Sequence, residues 1–259
     1  MSSLVAVEYS VAELMAAVMA RQLRPGEVAI MGAVSALPQA ACRLAQLTTA
    51  PGLWFIAGGS GAINPHLEPL VASSCDERLL NADAVLTLPD VILVEGRGDV
   101  IDVFFAGGLQ IDPRGNCNLG PVGPWSHPTL RGPGGVGLPF VARAGRVVIY
   151  SMSHDRRTFV ERVDFVSGPG FPVGPRELPG GGPSLIVTPL CTMDFDPGTH
   201  LARLATLHPG VTLDQVLAGT GFAPILPVKL ETTPAPTPEE LAILRRLDSD
   251  GLLRGGVGR

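Results

Sequence analysis

Charge is scarce in this chain of 259 residues, of which Asp, Glu, Lys and Arg make up only 17%. An average soluble protein has about 25%. The net charge is −5 and Lys229 is the only lysine, so the sequence has neither a basic stripe for nucleic acid nor a polybasic patch for a membrane surface. A surface with so little charge predicts that another subunit covers part of it.

Long apolar runs, paired cysteines and metal-ligand motifs are also missing. No stretch approaches the roughly 18 uninterrupted apolar residues of a membrane helix, and residues 1–10 carry no positively charged segment of a signal peptide. The four cysteines, at positions 42, 75, 117 and 191, show neither C-x-x-C spacing nor a histidine at zinc-ligand spacing. These absences predict a protein of the reducing cytoplasm without a metal site.

Glycine and proline are abundant instead. The 32 glycines and 25 prolines follow no collagen-like period, and 46% of the chain is hydrophobic, so we expect many tight turns around a compact core. The sequence shows no internal repeat and no linker long enough to separate two domains. We therefore predict a single domain over residues 1–259, with a flexible tail at 251–259.

The first sixty residues alternate between helical and strand patterns. An S-x-x-E capping box begins a helix at Ser10, and Pro25-Gly26 ends it. Apolar runs then predict a strand at Val28–Met31, a helix at Pro38–Leu47 and a strand at Leu53–Ala57. This order predicts an α/β fold with an open, largely parallel sheet flanked by helices.

Later patterns extend the same architecture. Two further helices are expected after T-x-x-Q at Thr212 and T-x-x-E at Thr237. The segment between Gly107 and Gly137 is a long loop, and long ordered loops are often functional. Further strands are predicted at Val85–Leu88, Val100–Phe105, Arg146–Tyr150, Val163–Val166 and Leu185–Thr188.

A glycine-rich loop, Gly58-Gly59-Ser60-Gly61, follows the strand that ends at Ala57. Ligands of open α/β sheets lie beyond the carboxyl ends of strands, and backbone N–H groups there can bind an anion or an oxyanion. The alternative is a tight turn without a ligand. The loop lacks the P-loop pattern of nucleotide hydrolases. Ser60 is a weak candidate nucleophile, because Asn64-Pro65 stands where a nucleophile elbow requires a helix.

Two histidines and two aspartates are weaker candidates. His127 and His154 could serve as bases, but nothing in the sequence places a carboxylate against either, so ordinary hydrogen-bonding roles are favoured. Asp194 and Asp196 alternate around Phe195, and both are expected to face water.

Ordered motifs from Phe105 onward carry a family resemblance. They are FAGGLQIDPRGNCN, RGPGG, SHDRRTFVERVDFVSGPGF, LIVTPLCTMDF and LHPGVTLDQVLAGTGF. In this combination they resemble the beta-type subunits of the class I CoA-transferase family, such as that of glutaconate CoA-transferase. The resemblance covers residues 8–250 and is weakest over 60–100.

The resemblance implies a CoA-transferase-like α/β domain that works with a homologous alpha-type subunit, in αβ, α2β2 or larger assemblies. It places the active site between the two chains, with a coenzyme A thioester as substrate and no permanently bound cofactor. Small residues let a backbone approach a thioester, and side-chain amides can bind its oxygen. Alternatively, many of these loop residues, Gly115 and Gly137 among them, only shape turns. The family's substrate loops correspond here to Gly107, Gly108, Gln110, Asn116, Asn118, Gly134, Gly135 and Gly137.

One departure from the family bears on the reaction. Its transferases carry a glutamate just after the early strand, which attacks acyl-CoA and becomes a glutamyl-CoA thioester. Gly58 or Gly59 stands at that position here. Gly58, Gly59 and Ser60 therefore mark the place of the absent nucleophile, and none of them is expected to supply a catalytic side chain.

Two kinds of relative lack this glutamate and act on acyl-CoA in other ways. One is a steroid ring-opening hydrolase, and the other is a methylglutaconyl-CoA decarboxylase with a cysteine at this place. The resemblance thus favours hydrolysis or C–C cleavage of a CoA thioester, with an acid–base group from the alpha-type chain. The alternatives are a decarboxylase, a transferase whose nucleophile has moved to Glu68, Glu77 or the partner, and a non-catalytic scaffold for an active alpha chain.

Overall fold

A computed structural model describes residues 8–66, 68–174 and 177–254. The α-helices of this part of the chain are α1 (Val11–Ala20), α2 (Ala36–Leu47), α3 (Leu88–Gly96), α4 (Leu213–Gly219) and α5 (Pro238–Leu247). Two 3₁₀ helices, Glu77–Leu80 and Leu138–Arg143, accompany them. The capping boxes predicted at Ser10, Thr212 and Thr237 are all formed.

The strands are short, as expected for a sheet with many turns. They are β1 (Val28–Met31), β2 (Trp54–Ala57), β3 (Ala62–Pro65), β4 (Ala82–Val85), β5 (Val103–Ala106), β6 (Gln110–Ile111), β7 (Cys117–Asn118), β8 (Pro121–Val122), β9 (Leu130–Arg131), β10 (Arg146–Tyr150), β11 (Pro183–Val187), β12 (Cys191–Phe195), β13 (Ala202–Leu207) and β14 (Glu231–Thr232). Strands β6 to β9 form two small hairpins outside the main sheet.

The main sheet has ten strands in the order β14-β13-β12-β11-β10-β5-β1-β2-β3-β4. Its centre, from β11 to β2, is parallel. Antiparallel pairs extend it on both sides. The predicted open, largely parallel α/β sheet is confirmed. In the sheet, β2 lies on one side of β1 and β5 lies on the other. The winding direction of the chain therefore reverses between β1 and β5.

Two apolar layers cover the two faces of the sheet. Because successive strand side chains point to opposite faces, Phe105 packs with α1, α2 and α5, whereas Phe104 packs beneath α3, α4 and the 3₁₀ helix Leu138–Arg143. The core on the first side includes Met15 and Leu44. These layers hold the carboxyl ends of the parallel strands at a common edge.

Two predicted strands are wrong. The run Val85–Leu88 is not a strand, because β4 ends at Val85 and Thr87 caps the start of α3. Pro89 in the first turn suits a helix start, a signal that the surrounding apolar run masks. The run Val163–Val166 is loop, and Phe165 within it is exposed. Its apolar character reflects a surface feature rather than a buried strand.

The ends of two other features differ in detail from the prediction. Helix α1 ends at Ala20, earlier than Pro25 suggests, and Leu23 is buried in the turn that follows. Of the predicted tail, 255–259 lie outside the described residues, while Leu253 packs into the core and its N–H donates to Asp248. Among the described residues, no helix combines the length and the apolar character that crossing a membrane requires.

Candidate functional site

The carboxyl edge of the parallel strands brings separate parts of the sequence together. The Gly58–Gly61 loop follows β2 and Gly107-Gly108 follows β5, on either side of β1. Neighbouring strands are about 4.8 Å apart, so the two loops begin roughly 10 Å from each other. The winding reversal between β1 and β5 lies between them, which is where open α/β sheets bind ligands.

Tyr150 at the end of β10 reaches across this edge. Its hydroxyl donates to the carbonyl of Val34, 2.9 Å away in the loop after β1. A Cβ on Gly107 would lie 3.4 Å from the Tyr150 carbonyl oxygen. Among the described residues, the backbone N–H groups of Gly107 and Gly108 have no acceptor within the chain. Both glycines are half-buried at this edge of the sheet, so their unpaired N–H groups are candidate donors for a ligand.

The Gly58–Gly61 loop is a tight turn whose own groups are paired. The N–H of Gly58 donates to Met31 at 3.0 Å, and the N–H of Gly61 donates to Ala57 at 2.9 Å. The Ser60 hydroxyl donates to Ala57 at 3.3 Å and accepts from Ala62 at 3.3 Å. Ser60 thus stabilises the turn.

Neither glycine at the nucleophile position has room for a side chain. A Cβ on Gly58 would lie 2.7 Å from the Met31 carbonyl oxygen. A Cβ on Gly59 would overlap the Cys75 sulfur and lie 2.6 Å from the Ser74 hydroxyl, which accepts the Gly59 N–H. The structure thus leaves no space for a glutamate at either position without rearrangement.

Cys75 is a residue that the sequence pattern does not connect with this loop. The segment before it is anchored by a bridge between Val34 and Ser73 and by the Ser74 N–H, which donates to Ala33. This places an exposed free thiol against Gly59. No spacing in the sequence could have shown the contact, because it depends on how the chain between β3 and β4 folds back.

The two carboxylates considered as displaced nucleophiles have other surroundings. Glu68 forms an ion pair at 3.3 Å with Arg246 of α5, and both side chains are about half exposed. Glu77 begins a 3₁₀ helix and is exposed. Neither arrangement resembles a buried, oriented nucleophile.

Gln110 and Asn118 form a buried network rather than a free amide surface. The Gln110 Nε2 donates to Asp164 at 2.8 Å, and its Oε1 accepts from Asn118 Nδ2 at 2.8 Å and from the Asp164 N–H at 3.0 Å. Asn118 also donates to Pro121 and accepts from Gly120. The amides hold β6, β7 and the 163–167 segment together, and their contact with a substrate stays a prediction.

The side-chain amide of Asn116 is likewise hydrogen-bonded within the chain. Its Nδ2 donates to Asp112 at 2.9 and 3.1 Å, and its Oδ1 accepts from the Gly170 N–H at 2.9 Å. Gly115 beside it has a φ of +76°, which favours glycine, and a Cβ there would press on Pro183. These residues build the loop, so a thioester oxygen would find no free amide among them in this conformation.

The third predicted glycine cluster borders a cleft. Gly135 lies beside Ser167, and together with Val136, Pro139, Phe165, Val166 and Pro169 they line an open cleft of about 480 Å³. Gly134 has a φ of +99° and its N–H donates to Leu119. Gly137 faces inward, where a Cβ would lie 2.6 Å from the carboxylate of Glu95. The apolar lining suits an acyl chain better than a charged group.

The remaining sequence candidates have structural roles. The ring nitrogens of His154 pair with Thr188 at 2.9 Å and Thr220 at 3.0 Å, and burial lowers its pKa to about 4. His127 is exposed, and its ring is hydrogen-bonded to the hydroxyl of the neighbouring Ser126 at 3.1 Å. Asp194 forms a bidentate ion pair with Arg203, and Asp196 accepts from the turn at 198–199, so neither is a free catalytic carboxylate.

Comparison with known proteins identifies relatives of this chain. The model described as coenzyme A transferase matches residues 12–219. The beta-type chain of 3-oxoadipate CoA-transferase from Pseudomonas knackmussii is 35% identical over 93% of this chain and 94% of that chain. The IpdB subunit of the cholesterol ring-cleaving hydrolase from Rhodococcus jostii is 32% identical over 83% of this chain and 82% of that subunit.

Solved structures agree with these relatives. The decarboxylase AibA/AibB superposes with a TM-score of 0.85 at 27% identity, covering 97% of this chain and 100% of that chain. Glutaconate coenzyme A-transferase from Acidaminococcus fermentans gives 0.85 at 28% identity, covering 95% and 97%. The resemblance found in the sequence motifs is confirmed, although the relatives are named for transfer, hydrolysis and decarboxylation. The chain belongs to the coenzyme A transferase family.

Proposed function

We propose that this chain is the beta-type subunit of a heteromeric acyl-CoA enzyme that hydrolyses a CoA thioester or cleaves one of its C–C bonds, without a glutamyl-CoA intermediate. The observation that carries the proposal is the closed space at Gly58 and Gly59, which the Met31 carbonyl, Ser74 and Cys75 occupy. A transferase of this family needs a carboxylate there. The IpdB relative is named as part of a hydrolase.

Without a nucleophilic glutamate, the free N–H groups of Gly107 and Gly108 are the groups that would stabilise the negative charge formed in the reaction. A thioester carbonyl becomes an oxyanion when water attacks it, and an enolate oxygen forms when a C–C bond beside it breaks. Fixed backbone donors stabilise both charges, and loss of one such donor typically costs about 10²–10³ in rate. An alpha-type subunit completes the site, as the low charge content of the surface predicts.

A transferase with a displaced nucleophile is the second candidate, because the 3-oxoadipate relative at 35% identity is named as a transferase. Decarboxylation is a third, supported by the likeness to AibA/AibB. The surroundings of Glu68 and Glu77 speak against either as a nucleophile of this chain. A transferase would therefore need the partner subunit's carboxylate or a large rearrangement.

The deciding experiment uses the complex with its alpha-type partner. Purified complex is incubated with a panel of acyl-CoA thioesters, with and without an acceptor acid, and then treated with borohydride or hydroxylamine. Without an acceptor, we expect either free CoA or a CoA thioester with a cleaved C–C bond, and no covalent adduct in the mass spectrum of either chain. CoA moving between acids, together with a trapped enzyme thioester, would show that the proposal is wrong and that the enzyme is a transferase.

Substitution of Gly107 tests whether this chain is only a non-catalytic scaffold for the alpha-type subunit. The Gly107→Ala variant adds a methyl 3.4 Å from the Tyr150 carbonyl, which the fold tolerates, but the methyl crowds the free N–H groups. We expect turnover to fall at least tenfold, roughly 1.4 kcal/mol. Gly98→Ala is the matched control, since its Cβ lies 3.9 Å from the nearest atom and remote from this edge. Equal turnover of both variants in an intact complex favours a non-catalytic scaffold.

A further inference from the structure

Among the described residues that line the apolar cleft, none has a charged side chain. Valine, proline and phenylalanine side chains supply most of the lining, and Ser167 supplies its one polar side chain. The Ser167 hydroxyl oxygen already accepts the Leu119 N–H at 2.9 Å. At about 480 Å³, the cleft is within the roughly 300–1,000 Å³ of sites that bind small molecules. A carboxylate placed there would lose hydration without gaining a cation from this lining.

Three charged groups of neighbouring segments are turned away from the cleft. The Asp164 carboxylate accepts two internal hydrogen bonds, at 2.8 and 2.9 Å. Glu95 lies behind the loop, against Gly137, and burial raises its pKa to about 7. The Arg131 guanidinium lies over the Trp125 ring, 5.5 Å from the ring centroid, and donates to the Trp125 carbonyl. None of the three lines the cleft, so its lining stays apolar.

The walls of the cleft consist of side chains with few conformations. The rings of Pro139 and Pro169 are fixed, and the β-branched valines have a restricted χ1. Phe165 adds an aromatic face, which is itself held by Trp125 with the ring centroids 5.3 Å apart. Aromatic faces pack well against other rings and apolar groups. A wide cleft with such walls suits a rigid ring better than a flexible chain.

Val136 is held in this wall at a conformational cost. It is 78% exposed with a φ of +43°, an unfavourable conformation for a β-branched residue. Gly134, Gly135 and Gly137 surround it, so Val136 supplies the only side chain of this run. A fourth glycine would adopt the same φ without strain. Strained residues are concentrated at functional sites, which makes this valine a candidate for contact with a ligand.

The cleft lies close to the free N–H groups of Gly107 and Gly108. Leu119 donates its N–H to Ser167 in the cleft wall. The preceding residue, Asn118, lies against Gly108, because a Cβ on Gly108 would be 3.2 Å from the Asn118 carbonyl oxygen. Consecutive Cα atoms are about 3.8 Å apart. The donors and the cleft are therefore near enough for one acyl-CoA molecule to contact both.

We propose that this cleft selects the acyl group of the CoA thioester, and that the preferred acyl group is an uncharged ring system rather than a chain that ends in a carboxylate. The inference rests on the part of the proposed function that makes an acyl-CoA the substrate. Val136 and Phe165 are the specificity-determining residues. Phe165 packs against the face of the ring, and Val136 contacts it from the strained loop.

The test measures how tightly two CoA thioethers, which cannot be hydrolysed, bind to the complex with the alpha-type partner. One carries a cyclohexylmethyl group on sulfur, and the other carries a carboxybutyl chain with equally many non-hydrogen atoms. We expect calorimetry to show at least tenfold tighter binding of the ring compound to the wild-type complex. Val166→Arg places a cation in the cleft and should reduce this ratio below threefold. Leu93→Arg, at an exposed residue of α3 that does not line the cleft, is the matched control and should keep the ratio.

A second variant tests the strained residue. Val136→Gly should leave the loop conformation unchanged, because glycine adopts a positive φ freely. We expect the ring compound to bind at least threefold more weakly, with unchanged binding of the carboxylate compound and unchanged subunit assembly. Val228→Gly is the control, since Val228 is fully exposed and does not line the cleft.

Other results overturn the inference in distinguishable ways. If the wild-type complex binds the carboxylate compound as tightly as the ring compound, the cleft does not select an uncharged ring. An unchanged ratio in Val166→Arg would show that the acyl group lies elsewhere, and if that variant fails to assemble, unchanged binding in Val136→Gly decides in the same way. A complex that prefers the ring compound but transfers CoA through a trapped enzyme thioester contradicts the proposed reaction and supports this inference. A complex that binds neither compound contradicts both.

Discussion

Gly58 and Gly59 exclude side chains for different physical reasons. At Gly58 the obstacle is the Met31 carbonyl, which belongs to the β1 backbone and cannot move without breaking the sheet. At Gly59 the two shortest contacts are with the ends of the Ser74 and Cys75 side chains, and the Cys75 backbone nitrogen is farther away, at 3.1 Å. Neither glycine has a left-handed φ, so the contact atoms alone determine what each position tolerates.

This difference predicts the stability of alanine variants. Gly58→Ala is expected to lower the free energy of unfolding by about 1–3 kcal/mol, the usual range for overpacking. Gly59→Ala should cost less, because the Cys75 side chain can turn toward solvent, and adding Cys75→Ala should recover part of the loss. Denaturant titration of the three variants measures this. Equal losses at the two glycines, with no recovery in the double variant, would contradict the explanation.

Glu95 predicts an unusual pH dependence of stability. Its pKa of about 7 in the folded chain exceeds the ordinary 4.5, so the folded state holds the proton more tightly than the unfolded state. Stability is therefore full below about pH 4.5 and falls as pH rises through 7, by about 3 kcal/mol. Glu95→Gln should lose this decline, so its stability relative to wild type should improve from pH 5 to pH 8. Parallel curves for the two proteins would show that Glu95 ionises normally.

At the scale of elements, the hairpin of β6 and β7 depends on side-chain amides. Four strand residues are too few for a stable ladder, and the Gln110–Asn118–Asp164 network joins the hairpin to the 163–167 segment. The amides of Gln110 and Asn118 thus hold the predicted substrate loop in its shape.

Replacing Gln110 tests this role. Gln110→Ala leaves the Asp164 N–H without its acceptor and removes the Asn118 contact, and each buried group left unpaired costs about 1–3 kcal/mol. We expect a lower free energy of unfolding and faster proteolysis of the 107–137 loop. Gln22→Ala is the control, because its amide makes one long bond of 3.5 Å at a helix end. Equal stability of the two variants would remove the structural role and favour a direct contact with substrate.

The sequence predicted those elements whose signals are local. The capping boxes at Ser10, Thr212 and Thr237 each span only four consecutive residues, and β1 and β10 are continuous buried runs. Helix α3 was not predicted, since Leu88–Gly96 begins inside an apolar run that also suits a strand.

The candidate site was only partly predictable, because its contacts are not local. The glycine clusters were found through family motifs, which name positions but not what surrounds them. Cys75 reaches Gly59, and Glu95 reaches Gly137, across 16 and 42 positions of chain. Whether an amide such as Gln110 is free or satisfied also depends on residues far along the chain.

Across the whole molecule, α1 and α5 are joined by buried or half-buried ion pairs. Arg21, the C-cap residue of α1, binds Glu240 of α5 through two bonds of 2.9 and 2.6 Å, and Arg245 of α5 binds Glu13 of α1 at 3.0 Å. Both glutamates also complete the capping boxes of their own helices. The two helices therefore cover the same sheet face as one unit.

Acid should loosen this unit. Burial alone would raise the pKa of Glu240, but the bonds from Arg21 and the Thr237 N–H outweigh it and lower the pKa. The stabilisation is therefore present above the ordinary carboxyl pKa near 4.5 and is lost as pH falls below it. Glu240→Gln should destabilise the chain at pH 7 and matter progressively less as pH falls below 4.5, as measured by thermal unfolding. A loss that stays constant with pH would mean that packing, and not charge, makes the contribution.

The pairing of α1 with α5 also affects how the chain folds while it is being made. Glu13 and Arg245 are separated by 232 positions. At about 5–20 residues per second, the ribosome releases α5 roughly 10–50 s after α1. During that interval the apolar face that α1 and α2 share has no cover from α5, and Glu13 and Arg21 lack the ion-pair partners that α5 supplies. A chaperone acting on the nascent chain would find this face exposed until synthesis is nearly complete.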